Sequence, residues 1–165
     1  MIVLGIDPGL AATGYGVVRS GASGMAALGG GVVRTAAGDG EEQRLVDLHD
    51  AVLSLIDEYS PEFVALERLY FNRNVSSALA VGQARGVVLL AAGQAGLPCS
   101  SYTPQQIKAA VCGSGAAGKD QVARMVKALL ALQAAPTSDH ASDAFAAAIC
   151  HLNSAPLSAA LAAQR

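Results

Sequence analysis

The opening segment of the chain, MIVLGIDPGLAAT, constrains the fold more than any other stretch. It begins with β-branched and bulky apolar residues that suit a strand covered on both faces, namely Ile2, Val3, Leu4 and Ile6. The run stops at Asp7, and Pro8-Gly9 then turns the backbone. A carboxylate at the end of a buried strand needs donors, a cation or a metal to compensate its charge. Asp7 therefore either starts its own turn or takes part in chemistry.

The next segments predict two further strands and a helix. Residues 13–19 and 25–35 have strand-forming patterns and short glycine-containing connections, which together favour an antiparallel meander. From Glu41 to Tyr59 apolar residues recur at helical spacing behind an acidic first turn. Ser60-Pro61 ends this helix.

A second short apolar strand, 63–67, also finishes on a carboxylate, Glu67. A helical crossover joins it to the meander, so we expect it to run parallel to the first strand. Parallel strands would bring Glu67 and Asp7 to the same edge of the sheet. The alternative is that Glu67 is a strand-end residue pointing into solvent.

The remainder of the chain predicts a helix at 75–97 that is apolar on every face, a strand at 99–102, and a helix opened by Thr103-Pro104. A further helix is predicted at 121–132, and a last one follows a cap at 136–138. The length of 165 residues suits one domain. We expect an α/β domain over 1–153 and a frayed, alanine-rich tail over 154–165.

The last helix carries the third group of candidate ligands. Asp139, His140 and Asp143 precede an apolar stripe of Phe145, Ile149 and Leu152. At about 100° per residue, Asp143 points nearly opposite this stripe, with Asp139 about 40° to one side and His140 about 60° to the other. One helix face can thus present Asp143 and one neighbour to a shared metal. An acid such as Asp139 also has a simpler explanation, because it stabilises the first turn through the helix dipole.

Charge is distributed unevenly along the chain, although its net value is only −2. Residues 68–127 contain seven basic residues and one acid, a net charge of +6, whereas the rest of the chain carries −8. Such asymmetry is typical of an electrostatic footprint for nucleic acid, and the alternative is a set of solvated helix faces. Tyr70 and Phe71 lie beside Arg73 in a predicted loop, where they either stack on unpaired bases or fold back into the core.

The glycine-rich segment 113–118 lies between Lys108 and Lys119 and does not match a phosphate-binding loop of the Walker type, because Asp120 follows the lysine. Lys119 is then a DNA backbone contact or a charge at a helix start. The three cysteines are widely spaced, which suits isolated buried thiols in a reducing cytosol. No apolar run is long enough to span a membrane, so we expect a cytoplasmic protein.

Taken in order, these motifs resemble the RuvC family of bacterial Holliday junction resolvases. The resemblance rests on I-D-P-G with T-G-Y-G, A-L-E at the second acid, S-A-L-x-x-G-Q-A-R-G-V on the apolar helix, and D-x-x-x-D-A near the end. It implies an RNase H-like fold, in which a mixed five-stranded sheet is flanked by helices on both faces. It also implies a homodimer that nicks two strands of like polarity in a four-way junction, working with a branch-migration motor.

The same resemblance assigns roles to individual residues. Asp7, Glu67 and Asp143 match three of four metal-binding acids, and the fourth position falls on His140, with Asp139 as the alternative. It also implies DNA contacts by Tyr70, Lys108 and Lys119, and we add Phe71 and Arg73 because aromatic and basic residues lie together there. Such a ligand set suits two Mg²⁺ or Mn²⁺ ions per site, which would hydrolyse the phosphodiester to leave a 5′-phosphate and a 3′-hydroxyl.

Two other functions remain open from the sequence. A junction-binding protein with weak or no cleavage is suggested by His140 in an otherwise acidic set. An actin-like ATPase is suggested by G-I-D-P-G, although that fold needs a second lobe and about twice the length.

Overall fold

Five strands form one mixed sheet in the computed structural model, which describes residues 1–68, 75–136 and 138–162. The strands are β1 (Ile2–Asp7), β2 (Ala12–Gly21), β3 (Gly24–Arg34), β4 (Phe63–Glu67) and β5 (Cys99–Tyr102). Their order across the sheet is β3-β2-β1-β4-β5. The first three pair antiparallel, whereas β4 runs parallel to β1 and β5 parallel to β4. The predicted meander and parallel crossover are confirmed.

The helices are α1 (Glu41–Tyr59), α2 (Val75–Gln94), α3 (Pro104–Cys112), α4 (Lys119–Leu129) and α5 (Asp139–Ala162). Helix α1 has the predicted bounds, while α2 ends before Gly96, which adopts a positive φ of 69°. Helix α4 begins two residues earlier than expected, at Lys119. The backbone of α5 stays helical to Ala162, well into the segment expected to be a frayed tail. None of the helices in the described residues is long and apolar enough to cross a bilayer.

The sheet separates two apolar cores. On one face Leu4, Ile6 and Val17 pack with residues of α1 and α2 such as Val52 and Val88. On the other face the core contains residues of β1, β2 and β4 together with residues of α3, α4 and α5, among them Val3, Val18, Ala65, Ile107, Val122, Phe145 and Ile149. Both faces of β1 are therefore covered, which explains its continuous apolar run. This arrangement confirms the predicted α/β fold with helices on both faces.

Helix α5 lies unusually close to the sheet because both surfaces carry small residues. Ala144 and the stretch 146–148 are fully buried in the helix. A Cβ atom on Gly5 of β1 would overlap the carbonyl oxygen of Ala144, and one on Gly16 of β2 would lie 2.7 Å from the Phe145 ring. This close contact brings the first turns of α5 down to the edge of the sheet where β1 and β4 end.

The cysteines correct one sequence-based expectation. All three are free thiols, but only Cys150 is buried, while Cys112 is partly buried and Cys99 is exposed. Cys99 opens an edge strand and Cys112 ends a short helix, which accounts for their accessibility.

Candidate metal centre

Asp7 and Glu67 end two neighbouring parallel strands. Ile6 and Leu66 are register partners in the sheet, so the carboxylates that follow them lie side by side at one edge. The pKa of Glu67 is raised from 4.5 to about 7, first by burial and then by the charges of Asp143 and Asp7. Three acids from distant parts of the sequence therefore interact, and the parallel crossover predicted that two of them, Asp7 and Glu67, share this edge.

The first turns of α5 complete the group. The Nδ1 atom of His140 lies 2.7 Å from Oδ2 of Asp7, within hydrogen-bond distance. Burial is also the main cause of the raised pKa of the Asp143 carboxyl, with repulsion from Asp7 next. For the pKa of Asp7, burial raises the value and the neighbouring His140 opposes the rise. The helix thus presents Asp143 and one neighbour to the sheet edge, and that neighbour is His140.

Asp139, the alternative fourth ligand, occupies a different position. Its side chain is 76% exposed, and its Oδ2 lies 3.4 Å from Nζ of Lys119 rather than against Asp7. Lys119 stands at the start of α4, and its pKa is raised chiefly by the negative charge of Asp143. Asp139 therefore contacts Lys119 and not the Asp7–His140 pair.

The carboxylates of Asp7, Glu67 and Asp143 and the imidazole of His140 suit a divalent cation, although these side chains are not arranged as a preformed metal site. No group of three or more His, Cys, Asp or Glu side chains within the described residues has the arrangement needed to hold a metal ion as it stands. Asp7 and His140 are instead bonded to each other. Burial is the main cause of the raised pKa of Glu67 and Asp143, and like-charge repulsion adds to it; a cation between the acids would relieve that second part. Three carboxylates and one imidazole fit Mg²⁺ or Mn²⁺ chemically.

A cleft of about 170 Å³ adjoins the acids. Glu67 and Asp143 line one part of it, and Lys108 of α3 and Lys119 of α4 line another. Helix α3 is fixed at its start by a capping box, in which Thr103 accepts from the Gln106 N–H and the Gln106 side chain accepts from the Thr103 N–H. Both lysines expected at the phosphate therefore border the same cleft as two of the acids.

The turn after Asp7 is held by a residue that the sequence reasoning missed. The Thr13 hydroxyl donates to the Gly9 carbonyl at 2.7 Å and accepts from the Gly9 N–H at 3.2 Å. Thr13 is 1% exposed, so these bonds are shielded from water. The four-residue spacing between Gly9 and Thr13 is the only sequence signal for this brace. Thr13 therefore braces the turn that follows Asp7.

Three residues expected to contact DNA, Tyr70, Phe71 and Arg73, lie outside the described residues. They follow Arg68 in the sequence, whose N–H donates to the Tyr102 carbonyl at 2.7 Å. This bond continues the pairing of β4 and β5 as far as Arg68.

Comparison with known proteins gives consistent matches over nearly the whole chain. The family model for the crossover junction endodeoxyribonuclease RuvC matches residues 3–151. The crossover junction endodeoxyribonuclease RuvC of Moorella thermoacetica is 49% identical over 156 residues, which cover 94% of this chain and 93% of the relative.

Solved structures agree with the sequence matches. Thermus thermophilus RuvC superposes with a TM-score of 0.88 at 40% identity, covering 96% of this chain and 97% of that one. The same protein in complex with a Holliday junction substrate gives a TM-score of 0.91 at 41% identity, covering 96% of each chain. The predicted RNase H-like resolvase fold is thereby confirmed.

Proposed function

The chain belongs to the RuvC family of crossover junction endodeoxyribonucleases, and from this premise we propose that its acidic cleft resolves Holliday junctions by paired symmetric nicks. As a member of that family it is a nuclease that hydrolyses DNA phosphodiester bonds. One observation carries the proposal about the cleft. The charges of Asp7 and Asp143 raise the pKa of the half-buried Glu67 at one sheet edge, and His140 lies 2.7 Å from Asp7.

Nucleases of this family need divalent metal ions. We assign the metal ligands to Asp7, Glu67, Asp143 and His140, and the ions to Mg²⁺ or Mn²⁺ at two per site. A bound pair of such ions supplies positive charge at the phosphate and lowers the pKa of a bound water. An imidazole ligand shifts the preference of the site toward Mn²⁺.

The side chains of this chain then have distinct tasks. Asp7 and Glu67 extend from strand ends and give the site a rigid base, whereas His140 and Asp143 come from one helix above it. Lys108 and Lys119 border the cleft and attract the phosphate backbone. Hydrolysis in this site leaves a 5′-phosphate and a 3′-hydroxyl.

Recognition of the whole junction involves further surfaces. Tyr70, Phe71 and Arg73 are assigned to the junction centre, where aromatic rings stack on unpaired bases. A homodimer supplies the second active site that paired nicking requires. The outer face of α2 supports this assembly, because Leu79 and Leu90 are 63% and 56% exposed. We place the enzyme in the cytoplasm, in association with a branch-migration motor.

The function is tested by incubating purified protein with a four-way junction and with a linear duplex of the same sequence. Mg²⁺ or Mn²⁺ is supplied in parallel with an EDTA control. The proposal predicts two nicks on opposed strands of the junction with metal, no nicks with EDTA and no nicks in the duplex. Junction binding without nicking under either metal would instead identify a junction-binding protein.

A further inference from the structure

Gly14 occupies a special position beneath the Asp7–His140 contact. It is the register partner of Asp7 in the antiparallel pairing of β1 and β2. Register partners project to the same face of a sheet, so a side chain at residue 14 would stand beside the Asp7 carboxylate on the α5 face. That space is instead filled by the first turn of α5.

The fit between Gly14 and α5 is tight and local. A Cβ atom on Gly14 would overlap the backbone carbonyl of His140 and would lie 2.9 Å from the His140 Cβ. The obstructing atoms are mostly backbone, which cannot rotate away as the end of a side chain can. A methyl group here would therefore have to lift the turn that carries His140.

We propose that Gly14 is a positioning residue for the metal centre, because its missing side chain sets how closely His140 approaches Asp7. The inference rests on the proposed function, in which both residues bind the metal. This role is more specific than close packing of α5, since Gly5, Gly16 and Gly30 lie against residues of α5 other than His140. Gly30 of β3 provides the comparison, because the three atoms nearest its added Cβ all belong to the ring of Phe145.

Thr13 strengthens the argument from the neighbouring position. Successive strand residues project to opposite faces. Thr13 holds the turn after Asp7 from one side, through its two bonds to Gly9, while Gly14 leaves room for His140 on the other. Thr13 thus braces the turn after Asp7, and Gly14 borders the backbone that carries His140.

The test compares Gly14→Ala with two controls in the full chain. Gly30→Ala adds strain at Phe145 away from the acids, and Gly21→Ala adds a methyl group in open space. Mn²⁺ binding is measured by titration calorimetry, stability by urea unfolding, and metal-free junction binding by electrophoretic mobility. A variant that does not fold in buffer is measured, with its controls, in trimethylamine N-oxide, which favours the folded state.

We expect Gly14→Ala to weaken Mn²⁺ binding about tenfold or more, the effect typical of losing support around a ligand, while metal-free junction binding is unchanged. Gly30→Ala should lose stability yet bind Mn²⁺ like the wild type. The proposal is overturned if folded Gly14→Ala binds Mn²⁺ normally, if Gly30→Ala weakens Mn²⁺ binding equally, or if Gly14→Ala stays unfolded in the osmolyte. Failure of the wild-type protein to bind Mn²⁺ would refute the proposed function itself.

Discussion

Nδ1 of His140 lies 2.7 Å from Oδ2 of Asp7, although the two residues are 133 positions apart in the chain. The contact joins the end of β1 to the first turn of α5. The adjacent Asp139 points elsewhere, toward Lys119 at 3.4 Å. Two neighbouring residues of one helix turn thus have different environments, which gives them different expected contributions to catalysis.

Separate alanine substitutions should distinguish these two residues. His140→Ala removes a proposed metal ligand and should lower the single-turnover cleavage rate at least tenfold. Asp139→Ala removes an exposed ion pair and should change that rate only slightly, since such pairs contribute little. Cleavage of a four-way junction at saturating Mn²⁺ measures both. Equal losses in the two variants would contradict the distinction.

The raised pKa of Glu67 predicts that, without metal, ionisation of this carboxyl lowers the free energy of unfolding. Its pKa is about 7 in the folded chain and 4.5 ordinarily, so the folded state binds more protons between these values and loses stability as pH rises through them. In EDTA near pH 8, Glu67→Gln should therefore raise the free energy of unfolding by about 1 to 2 kcal/mol, a value reduced for solvent screening in the open cleft.

Urea unfolding near pH 5 and pH 8 measures this effect, with the exposed Glu41→Gln as a control. The stabilisation by Glu67→Gln should be smaller near pH 5, where the native carboxyl is largely protonated. Equal stabilisation at both pH values would show that carboxylate ionisation is not the cause.

His151 predicts acid sensitivity of the fold on different grounds. The residue is 4% exposed, and its ring packs on Phe63. Its Nδ1 atom lies 2.8 Å from the Tyr102 hydroxyl, while Nε2 has no hydrogen-bond partner among the described residues. Burial lowers its pKa, so the unfolded chain takes up a proton first as pH falls below about 6.5. The free energy of unfolding should then decrease with acidification, and His151→Leu should lessen that decrease.

His49 provides a comparison of opposite sign for this measurement, because its pKa is shifted in the opposite direction from that of His151. Its pKa is raised, first by a hydrogen bond with Gln94, so it contributes stability at low pH that is lost as pH rises through the folded-state value. Urea unfolding at about pH 7.5 and about pH 5.5 measures the loss of unfolding free energy on acidification. Relative to the wild type, this loss should be larger in His49→Gln and smaller in His151→Leu. The reverse order would contradict both assignments.

Local patterns were sufficient to predict the base of the site. Asp7 and Glu67 each end an apolar run, and the helical crossover between their strands predicts that they share one edge, as the register of β1 and β4 confirms. The apolar period of α5 likewise predicted that Asp143 faces the site. These inferences succeed because strand burial, crossover handedness and helix geometry can each be predicted from short, regular segments of the sequence.

The rest of the site depends on tertiary contacts that no local pattern encodes. Asp139 and His140 flank Asp143 at similar angles, so only the docking of α5 on the sheet distinguishes them. Gly14 and Thr13 act through a missing side chain and a buried hydroxyl, neither of which changes the strand pattern. The alanine-rich segment after Asn153, expected to fray, has a helical backbone to Ala162.

The most direct test of the account is cleavage and binding of a four-way junction by Asp7→Asn beside the wild-type protein. The substitution keeps the shape of the side chain while removing the charge at the end of β1. With Mn²⁺ present, we predict that the wild type nicks the junction and that Asp7→Asn binds it with similar affinity but does not cut it. Normal cleavage by Asp7→Asn would contradict the assignment of the acidic sheet edge as the catalytic centre.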